Sequence, residues 1–364
     1  MEKKRIVWIT PDCFWDTDGA IVPKLMELYN IKWYVVRPNE SRKKIQENTN
    51  INKIITFNNR YYNPNIIKEY NALLSDIVDF HPNLVYTGFE GFPYFMPLFF
   101  KSLKGIKTIL AGHETNPWRR GSRKWPVRMY LKYLIQRINH VQVFSKFAEK
   151  EFGQLYPGKS CTYIPMALKD YGEPTKKFKS NGEKLFLFFG TDRPDKRLDI
   201  LLKAFLSLDE DYKKNARLLI YGATSHDNQI KYEELCKGND NIELNFGFVD
   251  DNKIPNLFTS VDYLVLPYQQ VSQSGPNMIA YRYGLPIIAS DIPGFSERIT
   301  NGINGYLFEV NNCSSLRTVL EYTIKAPLSE YSTLKENIKK FVGDNYSFSS
   351  IIERYSKMID QIIQ

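Results

Sequence analysis

Ser272-Gln-Ser-Gly-Pro-Asn-Met-Ile-Ala-Tyr-Arg-Tyr-Gly284, running on through Leu-Pro-Ile-Ile-Ala-Ser-Asp291 to Ile-Pro-Gly-Phe-Ser-Glu297, joins a small hydroxyl-rich turn to a helix, a glycine stop and a buried strand. Such a turn aims the unpaired N–H groups of the first helical residues, backed by the positive end of the helix dipole, at whatever anion lies in front of them. The stretch predicts a phosphate site on a fold that alternates strands with helices.

Outward from it, short apolar runs alternate with longer amphipathic segments along most of the chain. That is the pattern of parallel strands joined by crossover helices. One series has predicted strands at residues 5–10, 33–36, 54–57, 84–86, 108–111 and 141–144. The other has them at 185–189, 217–221, 242–244, 263–266, 287–289 and 305–308, with helices such as 198–208 and 229–237 between. Between the two series, residues 157–180 turn Pro-, Gly- and Lys-rich and end in Lys176-Lys-Phe-Lys-Ser-Asn-Gly182, which reads as a linker. After Lys325 the chain reads as helical, through 334–342 and 348–364, and the tail either caps the second domain or returns to the first. The expected class is α/β, with two Rossmann-like domains facing a central cleft and a helical C-terminal tail. Boundaries fall at 1–170, 171–345 and 346–364. Neither half carries G-x-G-x-x-G after its first strand, which argues against an ordinary dinucleotide site.

The chain has 364 residues, 43% hydrophobic and 24% charged, as expected of a globular protein with more than one core. No apolar run is long enough to cross a bilayer, and Met1-Glu-Lys-Lys-Arg passes into Ile6-Val-Trp-Ile9 without a signal-peptide core, so a cytoplasmic location is expected. Cys13, Cys161, Cys236 and Cys313 lie far apart, with neither metal-ligand spacing nor a C-x-x-C motif, and read as reduced and structural. A net charge of +9 asks for an anionic partner: nucleic acid, lipid headgroups or a phosphorylated substrate.

Leu185-Phe-Leu-Phe-Phe-Gly190 reads as a buried strand ending in a glycine turn, followed by Thr191-Asp-Arg193-Pro-Asp-Lys196. Arg193 and Lys196 stand where the carboxyl edge of a parallel sheet opens, and two cations there complement a diphosphate. The alternative is a pair of solvated loop charges. Phe246-Gly-Phe-Val249 either offers backbone groups to a nucleobase or packs in the core.

In this order, the second half resembles the nucleotide-sugar-binding domain of glycosyltransferase family 4 (glycosyltransferase group 1), retaining enzymes of the GT-B fold. The matching pieces are Phe188-Phe-Gly190 through Lys196, Leu218-Leu-Ile-Tyr-Gly222, Phe246–Val249, the strand into Pro267, Ser272–Glu297 and Asn301-Gly-Ile-Asn-Gly-Tyr-Leu307. The resemblance covers about residues 184–325. It implies that Arg193 and Lys196 bind the diphosphate of a UDP- or GDP-sugar. It also implies that Ser272, Gln273, Ser274, Gly275, Pro276 and Asn277 form the anion-binding turn, that Gly190, Phe248 and Val249 line the donor, and that Glu297 is the last acidic position of the sugar-site loop. The family's common form has two glutamates eight positions apart where Val271 and Ile279 stand here; Ser272-Gln-Ser-Gly275 looks like a branch that carries this turn instead. Neither Val271 nor Ile279 can accept a hydrogen bond from ribose or sugar.

In the first half, Thr108-Ile-Leu-Ala-Gly-His113-Glu114-Thr-Asn116 puts a histidine just beyond a strand. The resemblance implies that His113 lies near the donor sugar and acceptor. Gly19, in Asp18-Gly19-Ala20, occupies the place of a glycine-rich loop that touches donor phosphate or acceptor in relatives. Asp12, Asp16 and Asp18 either meet acceptor hydroxyls or serve as loop and N-cap residues.

Seven basic residues and no acid lie between Arg119 and Arg137, flanked by Trp118 and Trp125. If residues from Pro126 are helical, Lys124, Arg128 and Lys132 form one edge and Val127, Leu131, Leu134 and Ile138 another face. That suits either an anionic membrane surface or a surface helix with one buried face. No nucleic-acid recognition module accompanies the stretch, so nucleic acid is not the expected partner.

The combined expectation is a retaining glycosyltransferase of hexosyl type in cell-surface polysaccharide synthesis. It would act on a lipid-linked or oligosaccharide acceptor and sit peripherally on the inner face of the membrane, with no tightly bound cofactor and no metal. A non-catalytic glycosyltransferase-like subunit is the main alternative, and a nucleotide-sugar epimerase, which needs acids and bases around the sugar, the weaker one.

Overall fold

The computed structural model describes residues 2–38, 50–116, 125–176 and 182–364. The chain forms two units: Met1–Ala167 together with Phe348–Gln364, and Leu168–Ser347.

The first unit is built on β1 (Arg5–Pro11), β2 (Asn30–Pro38), β3 (Lys53–Phe57), β4 (Leu84–Thr87), β5 (Lys107–Ala111), β6 (His140–Val143) and β7 (Ser160–Tyr163). They form one sheet in the order β3-β2-β1-β4-β5-β6-β7, with every pair parallel. The central strands are nearly unbroken apolar runs because helices cover both faces, and Ile6, Val7, Trp8 and Ile9 are all fully buried. The connecting helices are α1 (Trp15–Leu28), α2 (Ile66–Asp79), α3 (Phe95–Ser102), α4 (Trp125–Arg137) and α5 (Lys146–Leu155). β7 corrects the reading of residues 157–180 as uniformly irregular. Ser-Cys-Thr-Tyr at the sheet edge is nowhere fully buried, so it carries no apolar alternation to betray a strand.

The second unit repeats the plan with β8 (Lys184–Phe189), β9 (Ala216–Gly222), β10 (Ile242–Phe246), β11 (Tyr263–Leu266), β12 (Ile287–Ser290) and β13 (Gly305–Phe308), in the order β10-β9-β8-β11-β12-β13, again all parallel. Its helices are α6 (Leu198–Leu206), α7 (Glu210–Lys213), α8 (His226–Cys236), α9 (Ile254–Ser260), α10 (Gly275–Arg282), α11 (Pro293–Ser296), α12 (Cys313–Lys325) and α13 (Leu328–Tyr346). Both units are Rossmann-like: in each, the first strand is central and the fourth crosses to its other side.

The last helix, α14 (Phe348–Ile363), belongs to the first unit. Its apolar stripe of Ile351, Tyr355, Met358 and Ile359 is buried. Tyr355 packs its ring 5.8 Å from that of Trp8, and the Tyr29 hydroxyl donates to Asp360 Oδ1 at 2.8 Å. Extended backbone at Ser347 separates it from α13.

Within the basic stretch, Trp118, Arg119, Arg120, Arg123 and Lys124 lie outside the described residues. α4 itself buries Leu131, Leu134 and Ile135 in the core, with Ile138 just beyond, and leaves Trp125, Met129 and Lys132 exposed. The apolar face considered for a membrane is therefore spent on the domain core.

Candidate functional site

In a doubly wound sheet the loops on either side of the order reversal diverge and leave a crevice at the carboxyl ends of the strands. In the second unit the reversal lies between β8 and β11, so it is flanked by the loop holding Arg193 and Lys196 and by the loop entering Ser272–Asn277.

Glycines let the strand ends approach one another. Gly190 and Gly222 follow at φ +127° and +144°, and a Cβ on Gly222 would collide with the carbonyl of Gly190. Beyond β10, Gly247 at φ +140° donates its N–H to Gly222 O at 3.0 Å. Phe248, next to it, is 73% exposed, which removes the core-packing alternative for its ring; Val249 is half-buried. The loop after β8 is pinned from behind, where Asp192 Oδ2 accepts from Thr224 Oγ1 at 2.8 Å and Asn228 Nδ2 at 2.9 Å.

Tyr268, which sequence reasoning passed over, is the post on which the site is hung. Its ring is fully buried just past β11. Lys196 Nζ stands 3.3 Å above the ring centroid, the Tyr268 hydroxyl is hydrogen-bonded to Ser274, and the Phe295 ring lies 5.5 Å away. One side chain thus touches the loop after β8, the turn before α10 and the short helix α11 after β12. Burial pushes the pKa of the Tyr268 hydroxyl well up, so the phenol stays neutral beside the lysine. The signal available in sequence was an aromatic immediately after the strand-ending Pro267.

Ser274 caps α10, its hydroxyl accepting from Asn277 N–H, and Gly275 and Pro276 supply the first helical positions. Pro276 lies 3.7 Å from where a Cβ on Gly190 would stand, so Gly190 and this turn adjoin. Ser272 and Gln273 are half-buried in the turn, and Asn277 is fully buried beneath it. The two basic residues differ. Lys196 sits on Tyr268, whereas Arg193 forks onto Asp195 at 3.1 and 3.0 Å, and Asp195 O accepts the Gln269 N–H at 2.9 Å. Arg193 is 42% exposed, so its ion pair is weak enough for a phosphate to compete. Arg197, at φ +50°, is held by Asp199 and Asn311.

Glu297 is paired with Arg298 at 2.7 Å, both largely buried, and Arg298 also donates to Gly294 O at 2.9 Å. A Cβ on Gly294 would collide with Val271 O, so only glycine lets this loop seat on the turn. Ile279 is 3% exposed and belongs to the core of the unit.

The first unit's equivalent edge has another chemistry. His113 is sandwiched between Phe14, with ring centroids 3.4 Å apart, and Phe144 at 4.5 Å, both nearly parallel to it. Gly112 permits this, because a Cβ there would meet Thr115 Cγ2 at 2.6 Å and Val141 Cγ1 at 2.9 Å. Glu114 is buried beside it and accepts from Asn116 N–H at 3.2 Å. Asp18 is not available to an acceptor: its Oδ2 accepts from Thr10 Oγ1 at 2.6 Å and Trp8 Nε1 at 3.0 Å, and burial raises its pKa to about 6. Phe14 holds the N-cap position of α1, so none of Asp12, Asp16 or Asp18 fills it. Gly19 is the fifth residue of α1, 3.7 Å from the Trp15 ring where a Cβ would point, and local packing does not demand glycine there.

None of the four cysteines forms a disulfide. Among the described residues no three His, Cys, Asp or Glu side chains converge, and no helix is long and apolar enough to cross a membrane.

Comparison with solved structures defines the architecture. Sucrose-phosphate synthase from Thermosynechococcus elongatus superposes with a TM-score of 0.80 at 14% identity, covering 99% of both chains. HepE from Anabaena, solved in complex with UDP-glucose, does so at 0.75 and 13%, covering 98% of this chain and 99% of that one. The fold is that of the GT-B glycosyltransferases. Residues 172–341 match the family Glycosyl transferases group 1, so this chain carries a glycosyltransferase group 1 domain. An uncharacterized glycosyltransferase of Methanocaldococcus jannaschii is 28% identical over 172 residues, 46% of this chain and 43% of the relative, so the match spans less than half of that relative's length.

Proposed function

We propose that this protein is a retaining glycosyltransferase that moves a sugar, of hexose type, from a UDP- or GDP-sugar to a lipid-linked or saccharide acceptor in cell-surface polysaccharide synthesis. The observation that carries the reading is the convergence, on Tyr268, of Lys196 and the Ser274-capped start of α10 at the switch point of a glycosyltransferase group 1 domain. The cations and the Gly275 N–H held there offset the charge that grows on a departing diphosphate, and being fixed in advance they cost no reorganisation during the reaction. In the transfer, the bond from the anomeric carbon to the diphosphate oxygen breaks and the electron pair leaves with the diphosphate. A bond from that carbon to the acceptor oxygen forms, and the acceptor proton passes to the leaving phosphate. No carboxylate is assigned as nucleophile, which favours front-face transfer over a double displacement. His113, half-buried between two aromatic rings, is assigned to positioning the sugar or acceptor. Phe248, Val249, Gly190 and Glu297 are assigned to the donor.

A second reading, a subunit that binds nucleotide without turnover, is favoured by Ile279: a position that carries a glutamate in the family's common form here serves the core. Transfer and hydrolysis assays with a panel of UDP- and GDP-sugars decide between them. Turnover with one donor supports the enzyme; nucleotide binding with no turnover on any donor supports the subunit. Peripheral membrane binding through α4 would use the exposed Trp125, Met129 and Lys132. Flotation with anionic vesicles should weaken on Trp125→Ala with Lys132→Glu, and unaltered flotation would refute that surface.

A further inference from the structure

The segment that opens the second unit runs along α10. Arg282, in the last turn of α10, pairs with Asp170 at 2.8 Å and Glu173 at 2.7 Å. The neighbouring Tyr283 hydroxyl donates to Gly172 O at 3.0 Å and accepts the Tyr171 N–H at 3.2 Å. Gly275 and Arg282 are seven residues apart, two turns of helix, and so share a face. With Asp170 tied to the Arg282 end, Lys169 reaches the other end. Its Cε and Nζ lie 3.5 and 3.6 Å from where a Cβ on Gly275 would stand, at the first residue of α10.

We infer that Lys169 is a third cation of the anion site, binding the diphosphate together with Lys196 and the Gly275 N–H at the start of α10. The inference rests on the reading of this site as one for a nucleoside diphosphate. A lysine at a helix N-terminus faces the wrong end of the dipole; cations are favoured at C-termini, as Arg282 is here. An anion placed between them reverses the sign of both interactions, because it accepts from the Gly275 N–H and from the ammonium at once. The same turn is already held to a second cation through the chain from Ser274 to Tyr268 to Lys196. Arg193 is shared with Asp195, so it brings less net charge than its place in the loop suggests. A diphosphate carries more than one negative charge, and Lys169 supplies the complement. Gly275, having no side chain, puts none between the ammonium and its own N–H. The strap to Arg282 and Tyr283 fixes the lysine's backbone before any ligand arrives, so little ordering remains to be done on binding.

The test is calorimetric titration of the full chain with UDP, GDP, inorganic pyrophosphate and uridine. Lys169→Met keeps the apolar stem and removes the charge; Lys169→Arg keeps the charge. The expected result is an about tenfold weaker binding of nucleoside diphosphate and pyrophosphate by Lys169→Met, near wild-type binding by Lys169→Arg, and no change for uridine. The difference between wild type and Lys169→Met should shrink as ionic strength rises. Equal affinity of wild type and Lys169→Met for UDP, GDP and pyrophosphate overturns the inference. A wild type that binds pyrophosphate in a Lys169-dependent way, yet neither UDP nor GDP, keeps Lys169 in an anion site and removes the nucleotide reading. A wild type that binds none of the three phosphate ligands removes both. Should Lys169→Met fail to fold, Lys169→Gln carries the same comparison.

Discussion

The two sheets follow one topological plan and present opposite chemistry at their carboxyl edges. In the second unit the edge carries Lys196 on Tyr268, Arg193 on Asp195 and the Ser274-capped start of α10. In the first it carries His113 stacked between Phe14 and Phe144, and α1 holds a buried carboxyl at Asp18 that burial drives toward its neutral form. Topology decides where a ligand can sit, because diverging loops open the crevice; the side chains on those loops decide what it can be. A cationic edge suits a diphosphate. An edge of aromatic faces around one imidazole suits an uncharged polyol such as a sugar.

That division is broken most directly by pairing two variants. Lys196→Ala is expected to lower sugar transfer by about a hundredfold or more and to weaken UDP binding with it. His113→Asn should lower turnover by about a hundredfold while leaving UDP affinity in place. If His113→Asn weakens UDP as much as Lys196→Ala does, measured by calorimetry beside the kinetics, the two edges are not specialised.

The next effect is on stability and belongs to the first unit alone. Folding raises the Asp18 pKa from 3.8 to about 6, so the folded state holds this proton more tightly than the unfolded chain. The stabilisation is fully present below the unfolded value and is lost as pH rises through about 6. The loss amounts to at most about 3 kcal/mol. Asp18→Asn, which cannot titrate, should flatten this part of the melting temperature's pH dependence between about 4 and 7. An unchanged slope in the variant would place the titration elsewhere.

The smallest effect sharpens the second unit's side of the comparison. Tyr268→Phe keeps the ring beneath Lys196 and removes the bond to Ser274, a change worth about 1 kcal/mol in stability and a few-fold in UDP affinity. Tyr268→Leu also removes the cation–π contact and should weaken UDP further. Equal behaviour of the two variants would mean that the ring does not position Lys196.

What was legible in the sequence was local. Strand and helix order followed from period and from glycine and proline stops, and the edge strand Ser160–Tyr163 escaped because partial burial left it without a pattern. Ser274 as a cap and Pro276 in the first turn were readable, since capping needs only residues within one turn. Asp18 was read as a candidate for acceptor contact because its partners, Trp8 and Thr10, reach it from a strand ahead of the helix. Tyr268 was missed because its three contacts come from three separate segments of the chain.

Sequence by itself determined two parallel βα series, a hydroxyl-rich turn leading into a helix, and a basic loop in the order of a glycosyltransferase group 1 domain. Only the tertiary structure decided that α14 packs on the first unit, that Asp18 is buried and that Lys169 stands at the start of α10. The reason is physical. Periodicity says that a helix face must be covered and composition says that a charge must be answered, but the partner in each case comes from a distant part of the chain.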